Sequence, residues 1–213
     1  DHIHLQHTLP QVFGRDTVIS QVWHQDIVFD KGKRYLIEAS SGTGKSSLCS
    51  YIYGYRRDYQ GIISFDGRNI RSFSVGEWAD VRKHSLSILF QELRIFPELT
   101  ALENVLLKNR LTNHKRKKKF LPLFRSNRHS RQKPTKEPVK LSFGQQQRVA
   151  FIRSLCQPFD FIFLDEPISH LDNDNSAIMS RLLMEEAGKQ GAGIIVTSIG
   201  KHLELEYDET FRL

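Results

Sequence analysis

The spacing of apolar residues changes period along this chain, and each change predicts a different kind of element. In the first third, short β-branched and aromatic runs alternate with turn signals. Residues 17–23 are rich in such side chains, 35–39 form a compact apolar run, and 61–65 lead into an Asp66-Gly67 turn, so strands are expected here. Beyond Thr100 the period becomes helical: Leu102, Val105 and Leu106 share one face, and Thr100 with Glu103 makes a Thr-x-x-Glu capping box. That helix is expected to end near Arg110. Residues 113–138 are polar, basic and interrupted by Pro122, Pro134 and Pro138, which predicts loops with a short apolar anchor at 121–124.

The helical period returns after Ser142, with Val149, Ile152 and Leu155. Residues 161–164 are then apolar without a break, as a strand covered on both faces must be. Ile178, Leu182 and Leu183 mark another helix, and 194–197 another bare apolar strand. Helix and strand alternating in this way predict an α/β fold with a parallel sheet. No internal repeat is visible.

A length of 213 residues suits one domain, or one domain with a subdomain inserted into it. Apolar residues make up 39% and charged residues 26%, and no apolar run reaches the ~18 residues of a membrane-spanning helix. Residues 1–7 lack the basic and apolar regions of a secretory signal, so export is not expected. Cys49 and Cys156 form no framework and read as small buried residues in a reducing compartment. His2, His4 and His7 alternate as on an exposed strand and are assigned no metal. The net charge is +7, but from Lys108 to Lys140 there are 13 Lys or Arg and one acid, Glu137. That segment carries +12 and leaves the remainder at −5, so the basic character belongs to one segment and not to the fold.

Three stretches carry chemistry. The run 35–39 leads directly into Ala39-Ser40-Ser41-Gly42-Thr43-Gly44-Lys45-Ser46-Ser47, a Walker A phosphate cradle with Ala in place of the first Gly. Gly42 and Gly44 let backbone N–H groups turn inward, Lys45 supplies a charge to β and γ phosphates, and the Ser46 hydroxyl suits Mg²⁺. The apolar run 161–164 delivers Asp165 and Glu166 at its C-terminal edge, where parallel sheets bind ligands; this is a Walker B pattern. Asp165 would hold Mg²⁺ and Glu166 would orient the water that attacks the γ-phosphoryl group. The third stretch is Leu141-Ser142-Phe143-Gly144-Gln145-Gln146-Gln147-Arg148-Val149, about twenty residues before the Walker B strand.

With that third stretch the sequence resembles the ABC ATPases, whose signature segment it matches. The resemblance implies an α/β fold with a RecA-like phosphate-loop core, an N-terminal antiparallel β subdomain and an inserted α-helical signature subdomain. It implies one nucleotide-binding domain over 1–213, with the core and β subdomain at about 1–90 and 157–213 and the helical subdomain at about 91–156. Ser142, Gly144 and Gln145 would then face the ATP of a second copy, so that two ATPs lie between head-to-tail partners. Gln91 after Phe90 resembles the Q-loop, a catalytic and Mg²⁺-facing position; Ser169-His-Leu-Asp172 resembles the D-loop; Phe13 lies where an aromatic stacks on adenine.

The run Phe-Pro-Glu-Leu-Thr-Ala-Leu-Glu-Asn-Val at 96–105 resembles the lipoprotein-release, macrolide-export and cell-division subgroup. From these likenesses the chain is expected to be an ATP-hydrolysing subunit that drives a separate membrane permease, placed in the cytoplasm on the inner face of the membrane. Its partners would be that permease and a second ATPase copy, identical or not, with an anionic membrane surface facing the basic segment.

Two positions depart from the family pattern. Ala39 is a small-residue exchange. Ser198 stands where the family places its switch histidine at the γ-phosphate, which predicts slow or partner-dependent hydrolysis; His202 and His170 lie nearby. Two other functions compete. An ABC ATPase acting on nucleic acid is suggested by the basic run 115–119, although no coiled-coil or zinc insertion accompanies it. A regulatory ATP binder is opposed by Lys45, Asp165 and Glu166 being intact.

Overall fold

The computed structural model describes residues 1–14, 19–115, 140–168 and 171–213. Among these residues nine strands fall into two sheets. The first sheet joins β1 (His2–Pro10), β2 (Asp26–Asp30), β4 (Tyr59–Phe65) and β5 (Arg68–Asn69) in the order β2-β1-β4-β5, all antiparallel. Its β1 strand alternates as one half-buried face requires: Ile3 and Leu5 are fully buried, while His2 and His4 lie on the other side and pair with Asp66 and Asp26. The histidine-rich start of the chain is therefore the outer face of a strand.

The second sheet has the order β6-β7-β8-β3-β9, and every pairing is parallel. Its members are β3 (Arg34–Glu38), β6 (Leu86–Leu89), β7 (Phe161–Asp165), β8 (Gly193–Ser198) and β9 (Glu209–Arg212). The apolar runs at 35–39, 161–164 and 194–197 become its three central strands. All residues of β7 and β8 are buried, which is why these segments show no alternation. Each fully buried Ile, Val, Leu or Phe here contributes about 1.5–3 kcal/mol relative to exposure.

Helices α1 (Lys45–Ile52), α2 (Val75–His84) and α5 (Asn173–Gln190) complete this α/β body. A pair, α3 (Ala101–Arg110) and α4 (Phe143–Ser154), packs around its own small core of Ala101, Val105, Leu141, Val149, Ile152 and Cys156. The capping box expected before α3 is formed: Thr100 Oγ1 accepts the Glu103 N–H at 3.2 Å, and the Glu103 carboxylate accepts the Thr100 N–H at 2.8 Å. An α/β architecture with an antiparallel sheet and a separate helix pair is thus what the chain adopts. No helix among the described residues is long and apolar enough to cross a membrane. Both cysteines are buried and free.

One expected strand is absent. Residues 19–23, the described part of 17–23, form bends and turns. Ser20 Oγ accepts the N–H groups of Val22 at 3.0 Å and Trp23 at 2.9 Å, giving the backbone a local alternative to a ladder. Two of the apolar side chains there serve burial: Val22 and Trp23 are wholly enclosed in the first core, while Ile19 is exposed. The apolar anchor at 121–124, most of the basic segment, and Ser169 and His170 of the D-loop likeness lie outside the described residues.

Candidate nucleotide site

Parallel pairing brings the chemistry to one edge. Asp165 is in register with Thr197, and Glu38 with Ser198, so the C-terminal ends of β3, β7 and β8 meet. Two backbone bonds tie them beyond the strands: the Ala39 N–H donates to Ser198 O at 3.0 Å, and the Glu166 N–H to Thr197 O at 3.1 Å.

Between β3 and α1 the chain turns through Gly42 (φ 82°) and Gly44 (φ 97°), left-handed conformations that favour glycine. A Cβ on Gly44 would stand 3.0 Å from the Trp23 ring and 3.5 Å from Phe13, so both aromatics lie directly against the loop. The loop is stitched by side chains. Thr43 Oγ1 donates to Ser40 O at 2.9 Å, Trp23 Nε1 donates to Thr43 O at 2.9 Å, and Arg56 Nη1 donates to Ser47 Oγ at 2.8 Å. Ser41 is exposed. Gly44, the N-cap of α1, brings no side-chain cap, which leaves the first-turn N–H groups and the positive end of the helix for an anion.

Lys45 is 6% exposed, yet among the described residues its ammonium has only long contacts: 3.5 Å to Glu166 Oε1 and 3.4 Å to Ser40 O. A charge-assisted bond is shorter, about 2.7–2.9 Å. A buried cation held this loosely beside an uncapped helix start fits a polyphosphate. The carboxylate opposite is held more firmly. Asp165, 4% exposed, accepts from Ser46 Oγ at 2.8 Å and from Thr197 Oγ1 at 2.6 Å, one bond to each oxygen. The Ser46 hydroxyl and Asp165 carboxylate are the hard oxygen donors Mg²⁺ prefers. Among the described residues no group of three or more His, Cys, Asp or Glu could hold a metal alone, so an ion here would rely on phosphate oxygens.

Glu166 sits beside this pair at φ 50°, an unusual backbone for a non-glycine residue. Its carbonyl accepts from Gln147 Nε2 at 3.3 Å, so the signature helix α4 touches the acid pair within one chain. At the exposed start of α4, Ser142 and Gln145 form another reciprocal box, with Gly144 the second residue of the helix. Gln91 is exposed just past β6, and its side chain makes no hydrogen bond among the described residues.

Ser198 closes β8 at this same edge. It is 1% exposed, and its hydroxyl donates to Lys201 O at 2.6 Å, bracing its own loop. His202 is engaged with Leu203 O at 3.0 Å and with the Tyr207 ring. Two residues of this site carry no motif signal, Thr197 and Trp23, and Gln147 lies in the signature stretch without a role of its own assigned from sequence. Thr197 was readable in principle as the polar residue closing an apolar strand; Trp23 had no local signal at all.

The ABC transporter family profile matches residues 25–169. Over 199 residues the sequence is 33% identical to an uncharacterized ABC transporter ATP-binding protein, YclH, of Bacillus subtilis (strain 168), spanning 91% of this chain and 87% of that one. This chain belongs to the ABC transporter family. The ABC chain is also 31% identical, over 194 residues, to the lipoprotein-releasing system ATP-binding protein LolD of Syntrophotalea carbinolica, with 89% and 85% coverage. Its fold matches that of the ATP-binding cassette MJ0796, solved as a dimer in a post-hydrolysis state with ADP and Pi. The TM-score is 0.76 at 23% identity, covering 92% of this chain and 87% of the other.

Proposed function

We propose that this ABC chain binds ATP with Mg²⁺, hydrolyses it, and drives a separate membrane permease. The observation that carries the reading is the meeting of Lys45, Ser46, Asp165 and Glu166 at one strand edge beside an uncapped helix. Lys45 and the N–H groups of residues 42–47, with the hydroxyls of Ser40, Ser41, Thr43 and Ser47 around them, receive the phosphates. Ser46 and Asp165 hold Mg²⁺, with Gln91 joining them; the ion neutralises charge on the β and γ phosphates when bound. Glu166 orients and polarises the attacking water, its backbone fixed by Gln147. Phe13 receives the adenine face.

Ser142, Gly144 and Gln145, at the exposed start of α4, complete the site of a second copy, which makes the working unit a head-to-tail dimer. Residues of about 91–156 form the helical subdomain and the rest the core. Relatives named as transporter ATP-binding proteins support a permease partner and a place on the inner membrane face, and LolD supports a lipoprotein-release type of machine. The buried, self-bonded Ser198 supports slow turnover. Steady-state phosphate release with and without Mg²⁺, with Glu166→Gln as the control, tests the assignment; release unaffected by that substitution refutes it.

A further inference from the structure

Between β7 and α5 runs the segment that presents Glu166, and the backbone there is strained. Glu166 sits at φ 50°, a conformation that a non-glycine residue keeps only where its surroundings hold it. At the near end the hold is plain. Gln147 Nε2 donates to Glu166 O at 3.3 Å, and the Glu166 N–H donates to Thr197 O at 3.1 Å. Further along, Ile168 and Leu171 are buried in the second core with Leu203. The far end is held by Lys201, a residue outside every motif of this chain.

Lys201 closes a tight turn after β8. Gly200 takes φ 75°, the Lys201 N–H donates to Ile199 O at 2.9 Å, and the buried Ser198 hydroxyl donates to Lys201 O at 2.6 Å. Both backbone polar groups of Lys201 are thus pinned, while its exposed side chain reaches across to the start of α5. There Nζ donates to Leu171 O at 3.2 Å and to Asn173 Oδ1 at 3.3 Å. Both acceptors are neutral, and among the described residues Lys201 has no ion pair.

As a source of stability this placement is poor. The ammonium lies at the N-terminus of α5, where the helix dipole favours an anion. Asp172 and Asp174 stand at that end, but Asp172 gives its two oxygens to Asn175 N and Nδ2 at 2.7 and 2.8 Å, and among the described residues neither acid pairs with Lys201. An exposed lysine on neutral oxygens adds little to folding. What it does is tie the loop after β8 to the segment after β7, beside the edge where Asp165 and Glu166 emerge. In the same loop His202 Nδ1 is engaged with Leu203 O, and its ring packs on Tyr207.

We propose that Lys201 is a positioning residue for hydrolysis: braced by Ser198, its ammonium holds the Leu171 carbonyl and so keeps the segment bearing Glu166 set toward the attacking water. The proposal rests on the reading of Glu166 as the residue that orients that water. It also gives the Ser198 hydroxyl a task, since the bond to Lys201 O fixes the turn from which the ammonium reaches. Acting through Glu166, Lys201 governs turnover and not nucleotide affinity.

Steady-state phosphate release by the full chain with its partner, beside ATP titration and urea unfolding, tests this. Lys201→Met lowers kcat about tenfold and leaves KM, ATP affinity and the urea midpoint unchanged. Lys201→Arg, which can still donate to the same carbonyl, recovers most of the loss. Ser198→Ala lowers kcat in the same direction, and adding Lys201→Met to it lowers kcat no further. Wild-type turnover by Lys201→Met overturns the inference and leaves the Glu166 assignment standing. A tenfold loss of ATP affinity at unchanged kcat places the ammonium on the nucleotide and overturns it too. So does a rate loss that follows a lowered urea midpoint and that Lys201→Arg does not repair. A wild type that Glu166→Gln leaves unaffected overturns the Glu166 reading and this inference with it.

Discussion

Trp23 offers a way to separate the nucleotide site from the core that supports it. Its ring is wholly buried, it packs against Gly44, and its indole N–H donates to Thr43 O at 2.9 Å. Trp23→Phe keeps an aromatic ring but loses that donor. The lost hydrogen bond is worth about 1 kcal/mol net. The smaller ring leaves a gap of roughly 40 Å³, worth about 1 kcal/mol at the measured cost of cavity volume. Global stability should therefore fall by about 2 kcal/mol. The hydrogen-bond share acts on the phosphate loop itself, so ATP affinity should weaken about fivefold.

Trp78→Phe is the matched control. Trp78 is 5% exposed, packs on Phe65 and Phe73, and has no partner for its indole nitrogen among the described residues. It should lose packing stability and leave ATP affinity unchanged. Urea unfolding gives the stabilities and titration calorimetry the affinities. If both variants bind ATP as the wild type does while unfolding more easily, Trp23 is only a core residue and the reasoning fails.

Other outcomes follow from the same geometry. Thr197→Val keeps shape but removes the 2.6 Å bond to the buried Asp165; a loss of about 1.5–3 kcal/mol in stability and a raised Mg²⁺ requirement are expected in unfolding and metal titrations. Lys108→Met should stabilise the isolated chain by up to about 3 kcal/mol at pH 7, the equivalent of the depression from 10.5 to about 8 that burial, with Arg153 and Arg82, imposes. The sign follows from the unfolded lysine binding more protons between pH 8 and 10.5: wild-type stability rises through that window, and the advantage of the variant disappears there. A pH-independent difference between the two would contradict it. Ser198→His is expected to raise phosphate release about tenfold with partner present, at some cost in stability because the site is closed; equal turnover would dismiss Ser198 as the cause of slow hydrolysis.

Segments whose environment is uniform were legible from the chain alone. β7 and β8 are buried at every position, so their apolar runs could only be central strands, and α3 announced itself through Thr100 and Glu103. The same capping signature precedes α2, where Ser74 and Glu77 form a complete box, but that helix buries Trp78 alone and shows no apolar period. β2, β6 and β9 are only four or five residues long and declare themselves through pairing with distant strands. Within the site, motif residues were visible because phosphate chemistry fixes their type and spacing. Trp23 and Gln147 act through contacts made only when the chain has folded, as does the Ser198 hydroxyl, which donates to a carbonyl three residues away.

The central claim is that Lys45, Ser46, Asp165 and Glu166 form an ATP-hydrolysing site, and Mg²⁺-dependent phosphate release by the full chain with its partner tests it most directly. Glu166→Gln should retain ATP binding and lose at least about 10²-fold in release, and Lys45→Met should lose binding itself. A wild-type complex that binds ATP without releasing phosphate, or a Glu166→Gln complex that turns over at the wild-type rate, would contradict the assignment.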